Sequence, residues 1–303
     1  MTVKERDMGA AESVTGPRLA DRIDAPARPA RSWRAAVLVT GLLAIGLVFM
    51  VAPFVWMLLS SFKTTEELAA RPPTWLPSNP TTANYRSLFE QLDFLRYFTN
   101  SAVVAGFVTV ANLLFCSMLG YALAKLRFPG RQALFGLVMG TLLVPSSVLL
   151  VPMFVLISRL NLVNSYPALI LPFAAGPFGV FLMRQFMRQI PDELLDAGRV
   201  DGASELYLFR RVAMPLCGPA LATLGILTFL ASWNNFIWPL VVTTDQEMFT
   251  LPVALANFAT DPNHPEPGVL MAGSAMLVLP VLAVFLVLQR YFTQGIAMTG
   301  LKG

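Results

Sequence analysis

The sequence predicts an all-α polytopic membrane protein, and three observations carry that prediction. Of the 303 residues, 55% are hydrophobic and only 13% are charged, whereas a soluble domain carries about 25% charged residues. Six segments are long and apolar enough for a transmembrane helix, which needs about 20 such residues. The basic residues between these segments are divided unequally between the two sides of a membrane. Six transmembrane helices are therefore expected.

The six apolar segments share one property, which is that they contain no Asp, Glu, Lys or Arg. They are Ala35–Phe62, Tyr97–Ala124, Gln132–Ser158, Leu160–Met183, Val212–Thr244 and Pro267–Gln289. Because Arg159 alone separates the third from the fourth, a tight turn is expected near Asn161–Ser165. Prolines inside the segments are compatible with transmembrane helices, where neighbouring groups satisfy the freed backbone. These prolines include Pro145, Pro152, Pro172 and Pro280.

The charge distribution predicts the orientation of the chain. Residues 1–34 are polar and are interpreted as a flexible cytoplasmic tail, followed by one transmembrane domain over residues 35–303. The tail is not interpreted as a signal peptide, because the apolar segment behind it is too long. Six spans put both termini on one side, which carries 17 Lys and Arg against 5 on the other. The positive-inside rule then places both termini in the cytoplasm.

The longest charged stretch between two apolar segments is Ile190–Leu221, which the same rule places in the cytoplasm. Its pattern predicts two short helices with a hinge at Asp201-Gly202. Pro191 is expected at the first helical position, and Asp201 is expected to cap the second helix. The predicted apolar stripe of the first helix is Leu194, Leu195, Ala197 and Val200. A short amphipathic helix of no special function is the alternative interpretation.

This stretch resembles the cytoplasmic coupling loop of ABC-importer permeases, whose motif is Glu-Ala-Ala, three residues, Gly, nine residues, Ile, one residue, Leu-Pro. With the spacing intact, this chain has Asp196-Ala197-Gly198, Gly202, Val212, Met214 and Pro215. Asp196 is one methylene shorter than the family's Glu. Gly198 replaces the family's second Ala, a change that weakens a helix by about 1 kcal/mol. The run over residues 196–216 is similar to the carbohydrate-importer branch, the second permease of maltose-like systems.

Other motifs fall in the family's order over nearly the whole chain. They are Ser60–Lys63, Asn84-Tyr85, Asn100-Ser101, Tyr121–Arg131, Trp233–Phe236 and Lys302-Gly303. The resemblance implies the fold of a type I ABC-importer permease, with no catalytic site, cofactor or metal of its own. It implies four partners: a second permease subunit, a cytoplasmic ABC ATPase dimer, an extracytoplasmic sugar-binding protein and the membrane lipid.

The resemblance also implies roles for individual residues of the loop, which spans residues 190–215. Asp196 would be the acidic anchor that pairs with a basic residue on the ATPase, and Gly202 would be the hinge. A side chain at Gly202 would either clash in the ATPase groove or forbid the backbone angles. Leu206, Tyr207 and Phe209 would fill that groove.

Polar residues within the apolar segments are candidates for the translocation path, because intramembrane polar groups are costly. The candidates are Asn100, Asn234 and Asn235, with Asn112 and Gln132 as further polar positions. The alternative interpretation is hydrogen bonding between helices. Two outer segments, Lys63–Arg96 and Thr244–Pro267, are long. The acidic second segment would face the binding protein, or it would be a solvated connector.

Two other classes of function remain as alternatives. A self-contained secondary transporter of a small polar solute would place ionisable residues at the membrane midplane, and the six segments contain no acid, lysine or arginine. A membrane-embedded enzyme would need a cluster of reactive residues, and the chain has one histidine, His264, and two cysteines far apart. The basic residues form no run, so the sequence does not favour nucleic-acid binding.

Overall fold

A computed structural model describes residues 33–260 and 266–299, and the regular structure of this part is helical. The chain forms two units, residues 1–53 and 54–303. Helix α1 (Trp33–Ser60) runs through Pro53, where the first unit ends. The predicted tail lies outside the described residues except for Trp33 and Arg34, as do His264 and Lys302-Gly303.

The following helices belong to the second unit. They are α2 (Thr65–Ala69), α3 (Ala83–Gln91), α4 (Phe94–Lys125), α5 (Arg131–Thr141), α6 (Ser146–Arg159), α7 (Tyr166–Ile170), α8 (Pro177–Met187), α9 (Asp192–Val200), α10 (Glu205–Leu208), α11 (Met214–Leu216), α12 (Gly218–Trp233), α13 (Ile237–Val242), α14 (Leu251–Thr260) and α15 (Pro267–Thr299). A π-helical turn, Phe209–Ala213, joins α10 to α11. Two short 3₁₀ turns, Leu171–Phe173 and Gln246–Met248, complete the described helical structure.

The described residues contain up to six spans, consistent with the predicted number. Each of the helices α1, α4 and α15 contains a stretch that is by itself long and apolar enough to cross a membrane. Three further spans would each consist of two helical pieces. The pieces are bent by 102° between α5 and α6, by 44° between Phe173 and α8, and by 82° between α11 and α12.

These bends depart from the sequence prediction, in which the prolines inside the segments are compatible with helices. Helix α5 ends at Thr141, and Pro145 directly precedes α6 with extended backbone at φ −60° and ψ 133°. Pro172 lies in a 3₁₀ turn, and α12 begins at Gly218 rather than at Val212. Proline cannot donate a backbone hydrogen bond and clashes with the preceding turn, so a bend is the common result. Pro152 and Pro280, by contrast, lie inside helices.

Helix α4 is the centre of the second unit, because it contributes to all three of its apolar clusters. Cys116, Tyr121 and Leu123 of α4 pack in one cluster with residues of α8 to α12. The amino-terminal part of α4 packs with α3, α12, α14 and α15, and its middle with α6, α7 and α13. Small residues allow close approach to α8. A Cβ at Gly120 would lie 2.8 Å from the Met183 Cβ, and one at Gly179 would lie 2.8 Å from the Cys116 Sγ.

The predicted tight turn between α6 and α7 is confirmed. Asn161 and Asn164 adopt left-handed backbone angles, with φ of 54° and 60°. The Asn164 side chain accepts hydrogen bonds from the backbone N–H groups of Thr244 and Asp245, both at 3.0 Å. The turn is therefore fixed to the segment that follows α13.

The two long segments predicted to lie on the outer side are folded in their described parts. In the first, the buried Lys63 ammonium donates to the Thr74 carbonyl and lies 4.5 Å from the centre of the Trp56 ring. The second segment includes α14, in which Leu251, Val253, Ala254 and Leu255 are buried. A wholly solvated connector is therefore wrong for this part of the chain. Asp261 lies outside the described residues.

Candidate functional site

The loop over residues 190–215 forms two short helices, α9 and α10, as predicted. Gly202 lies between them with φ +82°, and a Cβ built there would meet no atom within 4 Å. Within this chain the requirement for glycine is therefore the left-handed backbone angle, which glycine adopts without steric cost. Pro191 precedes the first helical residue instead of occupying its position.

The predicted cap of the second helix is wrong. The Asp201 N–H is bonded to the Ala197 and Arg199 carbonyls, so Asp201 ends α9. Ser204 caps α10, because its Oγ accepts a hydrogen bond from the Tyr207 N–H at 3.3 Å. A cap must directly precede the first helical residue, and the left-handed turn at Gly202 moves that position three residues along the chain, from Asp201 to Ser204.

The apolar residues of α9 face in two directions, which corrects the single predicted stripe. Leu195 is completely buried, whereas Leu194 is 48% and Val200 87% exposed. Ala197 is also exposed. Leu194, Ala197 and Val200 follow one another at intervals of three residues and lie on the outer side of the helix. Helix α9 therefore uses one leucine to attach to the unit and presents an apolar row outward.

The replacement of the family's second Ala by Gly198 has a structural explanation. A Cβ at Gly198 would lie 2.5 Å from the Leu208 Cδ2 atom. Leu208 is only 1% exposed and belongs to the apolar cluster beneath the loop. The missing methyl group therefore lets α10 pack closely against α9, which offsets the weaker helix propensity of glycine.

Four charged and polar side chains connect the loop to α4. The Arg199 guanidinium donates to Asp196 at 2.6 Å and to Glu205 at 2.7 and 3.3 Å. The Tyr121 hydroxyl of α4 donates at 2.7 Å to Glu205 Oε2, the oxygen that also accepts the longer bond from Arg199. The hydrogen bonds with Glu205 and Asp196 raise the pKa of Arg199. The chain of contacts thus runs from α9 through α10 to α4.

A second ion pair lies at the start of α9. The Lys125 ammonium, at the end of α4, is 2.6 Å from Asp192 and donates to the Ile190 carbonyl. Its hydrogen bond is the main cause that holds the pKa of Asp192 below the usual value. Asp192, Asp196, Arg199 and Glu205 line an open groove of about 900 Å³ beside the end of α4. A side chain from another protein can reach Asp196 through this groove.

The three residues expected to fill a groove on the ATPase lie in different environments. Leu206 and Tyr207 are 58% and 56% exposed. They line a groove of about 630 Å³ with Ser204, Arg210 and Arg211. Phe209 is 5% exposed, and its ring centre lies 5.5 Å from that of Tyr121. The expectation for Phe209 is therefore wrong, because the cluster around α4 already takes up its side chain. Pro215 is exposed, just before the 82° bend.

The candidate residues for the translocation path also lie in different environments. The buried Asn100 donates to the Glu247 and Phe249 carbonyls at 2.8 and 2.9 Å and accepts from the Tyr166 hydroxyl at 2.6 Å. These bonds support the interpretation of Asn100 as a link between helices. The Asn234 amide donates to the Leu230 carbonyl of its own helix. Asn112, also buried, fixes the bend before α8 through Phe173 and Gly176.

Asn235 lines a groove of about 500 Å³ beside α12. Thr228 and Ser232 line the same groove, together with the rings of Phe173 and Phe178. Thr228 and Ser232 are four residues apart on one face of α12, and Asn235 lies just beyond the end of that helix at Trp233. The sequence contains this spacing, but the prediction considered only the amides and missed the two hydroxyl residues. Within residues 33–260 and 266–299, no His, Cys, Asp or Glu cluster could hold a metal ion.

The long apolar helices of the described residues define a helical membrane protein. Residues 116–298 match the family described as binding-protein-dependent transport system inner membrane component, and the chain belongs to this family. Its members are transport components rather than enzymes.

Similar proteins include sugar permeases of bacteria. The chain is 41% identical to an arabinooligosaccharides transport system permease protein of Halalkalibacterium halodurans, over 86% of this chain and 96% of that protein. It is 32% identical to a diacetylchitobiose uptake system permease protein of Streptomyces coelicolor, over 85% of this chain and 86% of that protein. In structure it resembles a bacterial ABC transporter involved in alginate import, with a TM-score of 0.80, 25% identity and coverage of 88% and 99%.

Proposed function

We propose that the chain is one permease subunit of an ABC importer for a sugar or oligosaccharide. The observation that carries the proposal is the coupling loop, in which the exposed Asp196 and the left-handed Gly202 occupy the motif positions. The similarity to permeases for arabino-oligosaccharides and diacetylchitobiose supports a sugar as the substrate. A second permease subunit would complete the path, and an ATPase dimer would bind at α9 and α10.

Purification of the complex from native membranes tests this function. We expect an ATPase and a second permease to copurify, and we expect a sugar-loaded binding protein to stimulate ATP hydrolysis. A secondary transporter would purify without an ATPase. If an ion gradient alone drives uptake of the solute into ATP-free vesicles that contain the purified chain, the proposal is wrong.

We propose further that both termini and the coupling loop lie in the cytoplasm, as the excess of basic residues on that side indicates. Cysteine variants test the orientation. Ser204→Cys, in the loop, should resist membrane-impermeant thiol reagents in intact cells, whereas Glu90→Cys, an exposed position of α3, should be labelled. The native Cys116 and Cys217 are buried and should contribute little background. Labelling of Ser204→Cys with protection of Glu90→Cys would invert the topology.

We also propose that the groove beside α12 is this subunit's part of the translocation path. Its hydroxyl and amide groups can hydrogen-bond sugar hydroxyls, and its two phenylalanine rings suit the apolar faces of a sugar. Polar groups in a membrane span need a hydrogen-bonding partner or water. Among the candidates, the proposal keeps Asn235 and leaves Asn100 and Asn234 outside the path. Asn235→Leu should raise the KM for uptake more than Asn234→Leu does, and equal KM values would contradict it.

A further inference from the structure

We infer that Tyr121, Glu205 and Arg199 form a brace that makes α9 move together with α4 when the ATPase moves α9. The inference rests on the proposed function, because it describes how the same loop transmits movement. It assigns positioning roles to three residues that the motif does not include.

The brace is needed because the connection between α9 and α10 is a turn. Asp201 ends α9, Gly202 has φ +82°, and Ser204 begins the next helical segment as its cap. Such a turn can change its backbone angles, so displacement of α9 could be absorbed there. Side-chain contacts across the turn then fix the angle between the two helices, in addition to the Lys125–Asp192 pair at the start of α9.

The geometry of Arg199 suits this task. Its Nε and Nη2 atoms bond to the two Glu205 oxygens at 2.7 and 3.3 Å, which is a two-pronged contact across the turn. Two parallel bonds of this kind fix orientation as well as distance. Single exposed ion pairs contribute little to stability. The Arg199–Glu205 pair is two-pronged and has a third member, so it can fix an angle where a single pair could not.

Tyr121 extends the contact into the membrane-spanning part. It is 4% exposed, its hydroxyl donates to Glu205 at 2.7 Å, and its ring packs against Phe209. Glu205 is therefore bonded both to Arg199 of α9 and to Tyr121 of α4. Because α4 contributes to the three apolar clusters of the second unit, movement delivered to it reaches the other helices.

The arrangement also explains how Asp196 can be available to a partner protein. Asp196 uses only the Nη1 atom of Arg199, at 2.6 Å, and its side chain is 62% exposed. If Asp196 turns towards a basic residue of the ATPase, Arg199 keeps its contact with Glu205 and stays neutralised. Arg199 thus holds Asp196 in the free subunit and can release it at little electrostatic cost.

Conservative substitutions in the complete transporter test the brace. Tyr121→Phe removes one hydroxyl and keeps the ring, and Glu205→Gln keeps the shape but can no longer accept both guanidinium bonds. The matched control is Tyr97→Phe, a buried tyrosine at the opposite end of the same helix. Spin labels at Val200→Cys on α9 and Leu119→Cys on α4, both at exposed positions, report the distance between the two helices.

With the brace variants we expect a broader distance distribution and a fall of about threefold to tenfold in sugar transported per ATP. That range matches the net contribution of a typical intramolecular hydrogen bond. The ATPase should stay bound, and Tyr97→Phe should match the parent in both measurements. An unchanged distance distribution overturns the brace, and so does a broadened one with unchanged transport per ATP. If the parent shows no ATP-driven uptake, the proposed function fails, and the distance measurement alone decides whether the brace exists.

Discussion

Asp196→Lys is expected to leave the permease in the membrane but to lose the ATPase or uncouple it, lowering transport by more than about tenfold. Tenfold corresponds to roughly 1.4 kcal/mol, less than the usual cost of breaking a close charge pair at an interface. The Asp196 carboxylate is exposed on an open groove, where a basic residue of the ATPase can reach it. A lysine there would repel both that residue and Arg199.

The structure separates this effect from misfolding. Arg199 keeps its two contacts with Glu205 when Asp196 is replaced, so α9 should remain attached. The matched control is Asp201→Lys, which reverses an exposed charge on the same loop. It should retain the ATPase. Changing the partner's basic residue to an acid should partly restore transport by Asp196→Lys. Normal transport by Asp196→Lys with its ATPase bound would show that the charge is no anchor.

The parts of the fold that depend on local pattern could be predicted from the sequence. Each span needs only a long apolar run, and the hinge needs only a glycine at the right position. The turn before α7 could be predicted because a single arginine separates two apolar segments, and the structure confirms it. The bends were missed because a proline inside an apolar segment can be tolerated or can end a helix. In the same predicted span, Pro152 lies inside α6, whereas Pro145 lies in the extended connection between α5 and α6.

The candidate site was harder to predict, because contacts distant in sequence decide which side chains are free. Asn100 was a candidate for the path, yet its amide is bonded to a carbonyl 147 residues away. Phe209 is an aromatic residue of the kind that often anchors an interface, but its ring packs against Tyr121 of α4. Gly198 looked like a weakened helix position until the Leu208 side chain was found against it. No local pattern contains these partners.

Gly120→Val is expected to cause a severe folding defect. A Cβ at Gly120 would lie 2.8 Å from the Met183 Cβ and 2.9 Å from the Arg184 backbone nitrogen. A backbone atom cannot rotate away as a side chain can, so the two helices would have to separate. Overpacking of this kind typically costs about 1–3 kcal/mol and occasionally more.

Such a cost is a large part of the roughly 5–15 kcal/mol that stabilises a folded protein. Separation of α4 from α8 would also disturb the cluster around Tyr121, Met183 and Leu195. Gly106→Val is the matched control, because a Cβ at Gly106 on the same helix meets no atom within 4 Å. We expect Gly120→Val to reduce the folded protein recovered from membranes and to lower its melting temperature, while Gly106→Val stays close to the parent. Similar losses for both variants would mean that any branched residue in this helix is harmful, whatever its distance from α8.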